Sequence, residues 1–119
     1  MSKISLAKKL ALFSDYWNPR IIGELNGQHV KLAKLSGEFV WHHHEEEDEL
    51  FLVIKGELRM EFRDRVEILR EGEMIIVPRK VEHRPVAANE VHVLLFEPAS
   101  TLNTGNQDNE RTRKTLERI

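Results

Sequence analysis

Between residues 57 and 63, Leu58, Met60 and Phe62 alternate with Glu57, Arg59, Glu61 and Arg63, the two-residue period of a strand with one buried face. Similar texture recurs along most of the chain. Ile21 to Leu25 and Gln28 to Leu35 are joined by Asn26-Gly27, a dipeptide that tolerates positive φ at both central positions of a hairpin turn. On the second run Val30, Leu32 and Lys34 share one side. Ser36-Gly37 is expected to turn the chain into a β-rich stretch, Phe39 to His42. Further strands are expected at Glu49 to Ile54, Val66 to Leu69, Met74 to Val77 and Glu90 to Phe96, punctuated by Lys55-Gly56, Glu71-Gly72, Pro78 and Pro98. About eight short strands without a long helical period predict an all-β protein, an antiparallel sandwich or barrel.

The two ends lack this texture. Residues 1–20 are expected to form an irregular arm, with a short strand at Ile4-Ser5-Leu6 and a helical turn or two over Ala7 to Phe13. Asn18-Pro19 ends the arm, because the residue before proline is biased away from helix. Residues 21–100 carry the barrel. Residues 101–119 read as a polar tail or a partner-contacting arm, with a short charged helix expected over Glu110 to Arg118.

Composition narrows the function classes. A chain of 119 residues with 40% hydrophobic and 32% charged residues suits one soluble globular domain. No apolar run approaches the roughly 18–20 residues of a membrane helix. Leu10-Ala11-Leu12-Phe13 is too short for a secretory core, so a cytoplasmic location is expected. A net charge of −2, with acids and bases interspersed, argues against nucleic-acid binding, which rests on a concentrated basic surface. The one dense charge block, Glu45 to Glu49, is acidic. Cysteine is absent, which removes disulfides, thiolate sites and cysteine nucleophiles. Any metal must be held by imidazole and carboxylate, a donor set open to Zn, Mn, Fe, Ni, Co or Cu.

The chemistry-bearing residues are concentrated. On a strand, residues i and i+2 project to one side, so His42 and His44 can aim two imidazoles at one point while His43 faces away with Trp41. Glu49 follows after a turn through Glu45 to Asp48, and a chain that returns alongside itself brings its carboxylate back to that point. His83, beyond the Pro78 turn, can add a fourth ligand from a distant strand. Three imidazoles and one carboxylate leave positions free on a divalent metal that prefers five or six ligands. Against this reading, a His-His-His-Glu-Glu-Glu run is also what a solvated loop looks like.

The punctuation around these residues resembles the cupin superfamily of small double-stranded β-helix, or jelly-roll, barrels. The first cupin motif is similar to Gly37-Glu-Phe-Val-Trp-His42-His-His44-Glu-Glu-Glu-Asp-Glu49-Leu-Phe-Leu-Val-Ile-Lys-Gly56, and the second to Gly72-Glu-Met-Ile-Ile-Val-Pro78-Arg-Lys80-Val-Glu-His83-Arg-Pro-Val-Ala87. The resemblance implies a cupin barrel and the metal set His42, His44, Glu49 and His83. Three departures stand out. Gly37 is one residue closer to His42 than the family pattern has it; starting from His43 restores that count but makes Glu45 the second ligand. Lys80 replaces a turn glycine, and Ala87 replaces an asparagine that is not a ligand.

The resemblance implies isomerase-, dioxygenase- or decarboxylase-like chemistry on a small-molecule substrate, without selecting one. A non-catalytic small-molecule binder or sensor and a structural or metal-buffering protein are the competing readings, so whether the chain is an enzyme stays open. A homodimer is expected, because edge strands need cover and the arm at 1–20 can supply it. Phe51, Val53, Met60 and Phe62 are expected to line the barrel. His92 is expected to be structural and His29 exposed, while Glu47 and Asp48 are loop acids with a secondary reading as a base beside the metal.

Overall fold

The computed structural model describes residues 1–119 and contains one short helix, α1 (Leu6–Leu10), and seven strands. These are β1 (Arg20–Leu25), β2 (Gln28–Glu38), β3 (Glu49–Lys55), β4 (Leu58–Phe62), β5 (Val66–Leu69), β6 (Met74–Val77) and β7 (His83–Pro98). All pair antiparallel, in the order β1-β2-β7-β3-β6, with β4 joined to both β5 and β7. β7 is the hinge of the architecture. Its first residues, His83 to Val86, pair with β4, and from His92 onward it runs between β2 and β3. One long strand thus takes part in both walls, and the sheet folds back on itself as a barrel. No helix is long and apolar enough to cross a membrane.

Period-two alternation decides what faces inward. In β4, Leu58, Met60 and Phe62 are buried; in β3, Phe51 and Val53 join them, with Val91, Val93 and Leu95 from β7. All four residues expected to line the barrel do so. The Asn26-Gly27 hairpin has φ of 50° and 77°, the pair of positive values that a two-residue turn of this hand demands.

A second apolar cluster sits on the outer face of the sheet. Leu10 and Phe13 of the arm pack there with Ile22 and Leu32, and Ile119 closes the group. The arm therefore covers its own barrel rather than reaching away from it. Ile4-Ser5-Leu6 is not a strand: Ser5 caps α1, its Oγ accepting the Lys8 backbone N–H at 3.2 Å, because a free hydroxyl satisfies an otherwise orphaned helix donor.

Three further expectations are corrected. Ser36-Gly37 is not a turn but part of β2, which runs on to Glu38 through a register shift between Leu35 and Gly37. Phe39 to His42 is consequently not a ladder strand; it touches β7 through Phe39 N–H to the Pro85 carbonyl and an isolated His42–His83 bridge. No helix forms over Glu110 to Arg118. Its backbone is bonded elsewhere: Asn103 receives the Arg113 N–H and donates to the Arg111 carbonyl, both at 2.8 Å, and the Ile21 N–H and the Ile119 N–H tie the chain end to β1. Thr101 and Thr104 are buried, so the tail lies against the barrel.

Candidate metal centre

His42 and His83 sit directly opposite each other in an antiparallel bridge that exchanges both backbone hydrogen bonds, His42 N–H to the His83 carbonyl at 3.1 Å and the reverse at 2.9 Å. That local pairing, rather than a long ladder, brings together side chains 41 positions apart. His44 lies two residues further on the same face. The ring centroids of His42 stand 5.1 Å from His44 and 4.3 Å from His83. Glu49, the first residue of β3, completes the group, and one ligand atom from each of the four lies within 4.8 Å of all the others. Exposure is 2, 4, 4 and 0% for His42, His44, Glu49 and His83. A solvated loop is excluded for these four.

The donors are oriented for a shared ligand. The His42 Nδ1 lies 2.9 Å from the Val40 carbonyl, and the His83 Nδ1 lies 2.9 Å from the Val81 carbonyl. A carbonyl only accepts, so both Nδ1 atoms carry a proton, and in the neutral imidazole form each Nε2 is the atom with a free lone pair. Burial, followed by the adjacent His83, pushes His42 down to about 4; at neutral pH it is an uncharged imidazole. The His44 and His83 Nε2 atoms each lie 3.3 Å from Glu49 Oε1. All three atoms are buried and lack a directed hydrogen-bond partner. Such orphans are costly unless something else satisfies them, and a divalent cation between them would do so. The buried cluster is compatible with a metal ion on the chemistry of its donors.

The alternative register places its residues elsewhere. His43 and Glu45 bond to each other at 2.6 Å on the outer side, and the His43 N–H donates to Asn106. The loop acids are also engaged: Asp48 accepts from the Arg79 backbone and guanidinium, and Glu47 accepts from the Ser100 hydroxyl. Trp41 faces away from the metal donors, under the Arg63 guanidinium at 3.8 Å. His92 bonds Glu90 at 2.6 Å. His29 corrects the expectation of exposure; it is 8% exposed and its Nε2 lies 3.1 Å from Glu24, because the inward face of β2 includes it.

Lys80, in place of the turn glycine, adopts φ of 70°, and its N–H donates to the His44 carbonyl at 2.7 Å. The lysine keeps the left-handed turn and accepts its strain. A cavity of about 40 Å³ adjoins the donors, bounded by Trp17, Phe39, His42, Glu49, Glu97 and Asn103; that volume suits a few water molecules. Trp17 stacks on Phe39 with centroids 4.7 Å apart, so the arm and the C-terminal segment roof the opening.

Two buried ionisable residues escaped the sequence reading. Lys31 and Glu97 are each 2% exposed and pair at 2.8 Å. Burial, together with the neighbouring Glu49 charge, pushes Glu97 well above the usual carboxylate range. Burial opposes ionisation of Glu49 too, but its contacts with His44, His83 and Glu97 hold it well below that range. Alternation was the available signal: Glu97 continues the inward series Val91, Val93 and Leu95, and Lys31 precedes Ala33 and Leu35 on the face opposite Val30 and Leu32.

Comparison with known proteins agrees with this geometry. The family model described as Cupin domain matches residues 28–97. The chain is 44% identical to a cupin-2 domain containing protein from Shewanella frigidimarina NCIMB 400, with 80% of this chain and 93% of that one covered at a TM-score of 0.79. It is 35% identical to protein NMB1881 from Neisseria meningitidis, with 82% and 100% covered at a TM-score of 0.75. Uncharacterized protein YdbB from Bacillus subtilis (strain 168) is 41% identical over 64 residues, 53% of this chain. The match spans 57% of that relative's length. A histidine pair, a returning glutamate and a distant histidine, gathered at one end of a rolled antiparallel sheet, thus coincide with the family match, and the chain belongs to the Cupin_2 family of cupin domains.

Proposed function

We propose that this cupin holds one divalent metal ion through His42, His44, Glu49 and His83 and presents it to a small-molecule ligand. The observation that carries the reading is the convergence of the His44 Nε2, His83 Nε2 and Glu49 Oε1 atoms, all buried and all without a directed partner. Removed from water and left facing one another, they would each cost roughly 1–3 kcal/mol. When bound, the ion supplies Lewis acidity toward an oxygen donor. The chain's residues do the rest. Val40 and Val81 carbonyls fix the tautomers of two imidazoles, and Trp17, Phe39 and Asn103 limit access to the cavity.

Isomerase-, dioxygenase- and decarboxylase-like turnover are all within the reach of such a centre. The roofed cavity of about 40 Å³ favours a second reading, in which the metal captures a small ligand without turnover. A second copy of the chain is the proposed protein partner, supported by Met74 and Ile76, which expose 57 and 55% of their area on the edge strand β6.

Elemental analysis of untagged protein tests the metal reading, repeated on His44→Ala and His83→Ala. One equivalent in the native chain and a loss of most of it in both variants is the expected result. Equal metal in all three proteins would overturn the ligand set. Turnover of a metabolite panel by protein reconstituted with Fe, Mn, Ni or Zn then separates enzyme from binder.

A further inference from the structure

The register across the barrel wall explains where Lys31 and Glu97 stand. His29 pairs with Glu97, and Leu50 pairs with Phe96, so Glu49 and Glu97 meet one step further along on the inward face. Lys31 pairs with Leu95, one inward step deeper, and its ammonium rises to Glu97 Oε1 at 2.8 Å. The next steps are hydrocarbon: Ala33 with Val93, and Leu35 with Val91.

Stability does not account for an ion pair at this depth. Desolvating two charges costs several kcal/mol per ion, and an apolar pair of similar volume is commonly as stable or more so. The pair does have a structural consequence at the candidate metal centre. Glu97 stands across from Glu49 on the inward face of the β3–β7 pairing and lines the same cavity as Glu49 and His42. A carboxylate ligand left unsupported can swing between one- and two-oxygen binding, and residues behind the ligands commonly set that orientation.

We propose that Lys31 and Glu97 are positioning residues for Glu49: the Lys31 ammonium anchors the Glu97 carboxyl, which braces the Glu49 side chain toward His44 and His83. This rests on the metal reading above and adds two residues that do not themselves contact the ion. The brace runs across three strands, from β2 through β7 to β3. It ties the carboxylate ligand to β2, a strand that carries none of the three imidazoles.

The test compares full-length native protein, Glu97→Gln, and the double variant Lys31→Met/Glu97→Leu. Zn²⁺ and Co²⁺ affinities are measured by competition with a chromophoric chelator, alongside metal-free denaturation. The double variant replaces the pair with hydrocarbon, so its metal-free stability is expected to match or exceed the native value. Its affinity is expected to fall about 10- to 100-fold, with a changed visible spectrum of the Co²⁺ form. Glu97→Gln keeps a side chain able to bond Glu49 and is expected to hold affinity within about threefold of native, retaining the native Co²⁺ spectrum. A double variant with native affinity and spectrum overturns the positioning role, since the pair is then structural only. Should the double variant fail to fold, Lys31→Met/Glu97→Met replaces it: affinity lowered at least tenfold with a changed Co²⁺ spectrum supports the brace, and native affinity with a native spectrum overturns it. A native chain that takes up no ion brings down the metal reading itself, a result distinct from native uptake that the double variant shares.

Discussion

Inside the barrel, the rungs formed by Ala33, Val93 and Val53 and by Leu35 and Val91 are hydrocarbon throughout, whereas the rung of His29, Glu97 and Glu49 is ionisable throughout. Both ends are equally dry: Val53 is 1% exposed and Glu49 is 4%. Their satisfaction differs. The apolar rungs contain no polar atom in need of a partner, while Glu49, Glu97, His29, His44 and His83 each contribute a buried side-chain atom without one. Burial alone therefore says little about purpose; unsatisfied burial says more. The apolar end is expected to hold the fold together and the polar end to hold a ligand, and substitutions at the two ends should separate those properties.

The largest contrast is between Met60 and His44. Met60 is wholly buried within the apolar cluster, so Met60→Ala is expected to cost about 2–5 kcal/mol of folding free energy through lost transfer and a residual cavity. The fraction that remains folded should still bind metal stoichiometrically. His44→Ala is expected to abolish most metal binding yet change metal-free stability by only about 1 kcal/mol. Chemical denaturation and metal analysis on both proteins check the pair. A severe metal-free stability loss in His44→Ala, matching that of Met60→Ala, would erase the distinction between the ends.

Acid sharpens it next. His42 is lowered from the ordinary histidine value to about 4 by burial and then by His83. A group whose pKa falls on folding binds more protons in the unfolded chain. Its contribution is therefore fully present above the unfolded value near 6.5 and lost as pH falls toward 4. The span corresponds to about 3 kcal/mol in the metal-free protein. Denaturation midpoints at pH 7.5 and pH 4.5 should show the loss, and His42→Phe should flatten it. An apolar-end variant such as Met60→Ala should leave the pH dependence unchanged.

Legibility in the sequence follows the same division. Strands with a clean two-residue alternation, β4 above all, were readable because each position faces one environment. The convergence of His42, His44, Glu49 and His83 was readable because the two histidines satisfy strand spacing and Glu49 and His83 carry the motifs of a known barrel. What escaped lay where a tertiary contact, not a period, decides the structure. Phe39 to His42 is apolar and β-branched enough for a strand, yet the register shift at Gly37 leaves only a bridge. Glu110 to Arg118 has helix-forming residues, but Asn103 captures its backbone groups. Lys31 and Glu97 were hidden by a prior: charged residues are almost never fully buried unless paired, and a pairing 66 residues apart is invisible until the sheet is folded.

A smaller effect is expected at Gly105, where φ is 57° and an added Cβ would meet the His43 carbonyl and the His42 ring. Gly105→Ala should cost about 1–3 kcal/mol through backbone strain and displace the C-terminal segment from behind His43. Faster exchange of the amide hydrogens around Asn106, whose N–H donates to the His43 carbonyl at 3.0 Å, would report that displacement.

The smallest predicted change runs in the opposite direction. Lys80 occupies the left-handed region with φ of 70°, which costs a residue with a Cβ about 1–2 kcal/mol. Glycine there relieves the strain but adds freedom to the unfolded chain, which returns part of the gain. Lys80→Gly should thus stabilise the protein by up to about 1 kcal/mol, visible as a modest rise in Tm. Its N–H would still donate to the His44 carbonyl, so metal affinity should stay at the native level. A stability gain with no affinity change makes this turn a control for the polar end: it touches His44 through backbone alone. An affinity change of tenfold would mean instead that the turn itself aims the His44 ring, and that the polar end extends beyond the four donors and their braces.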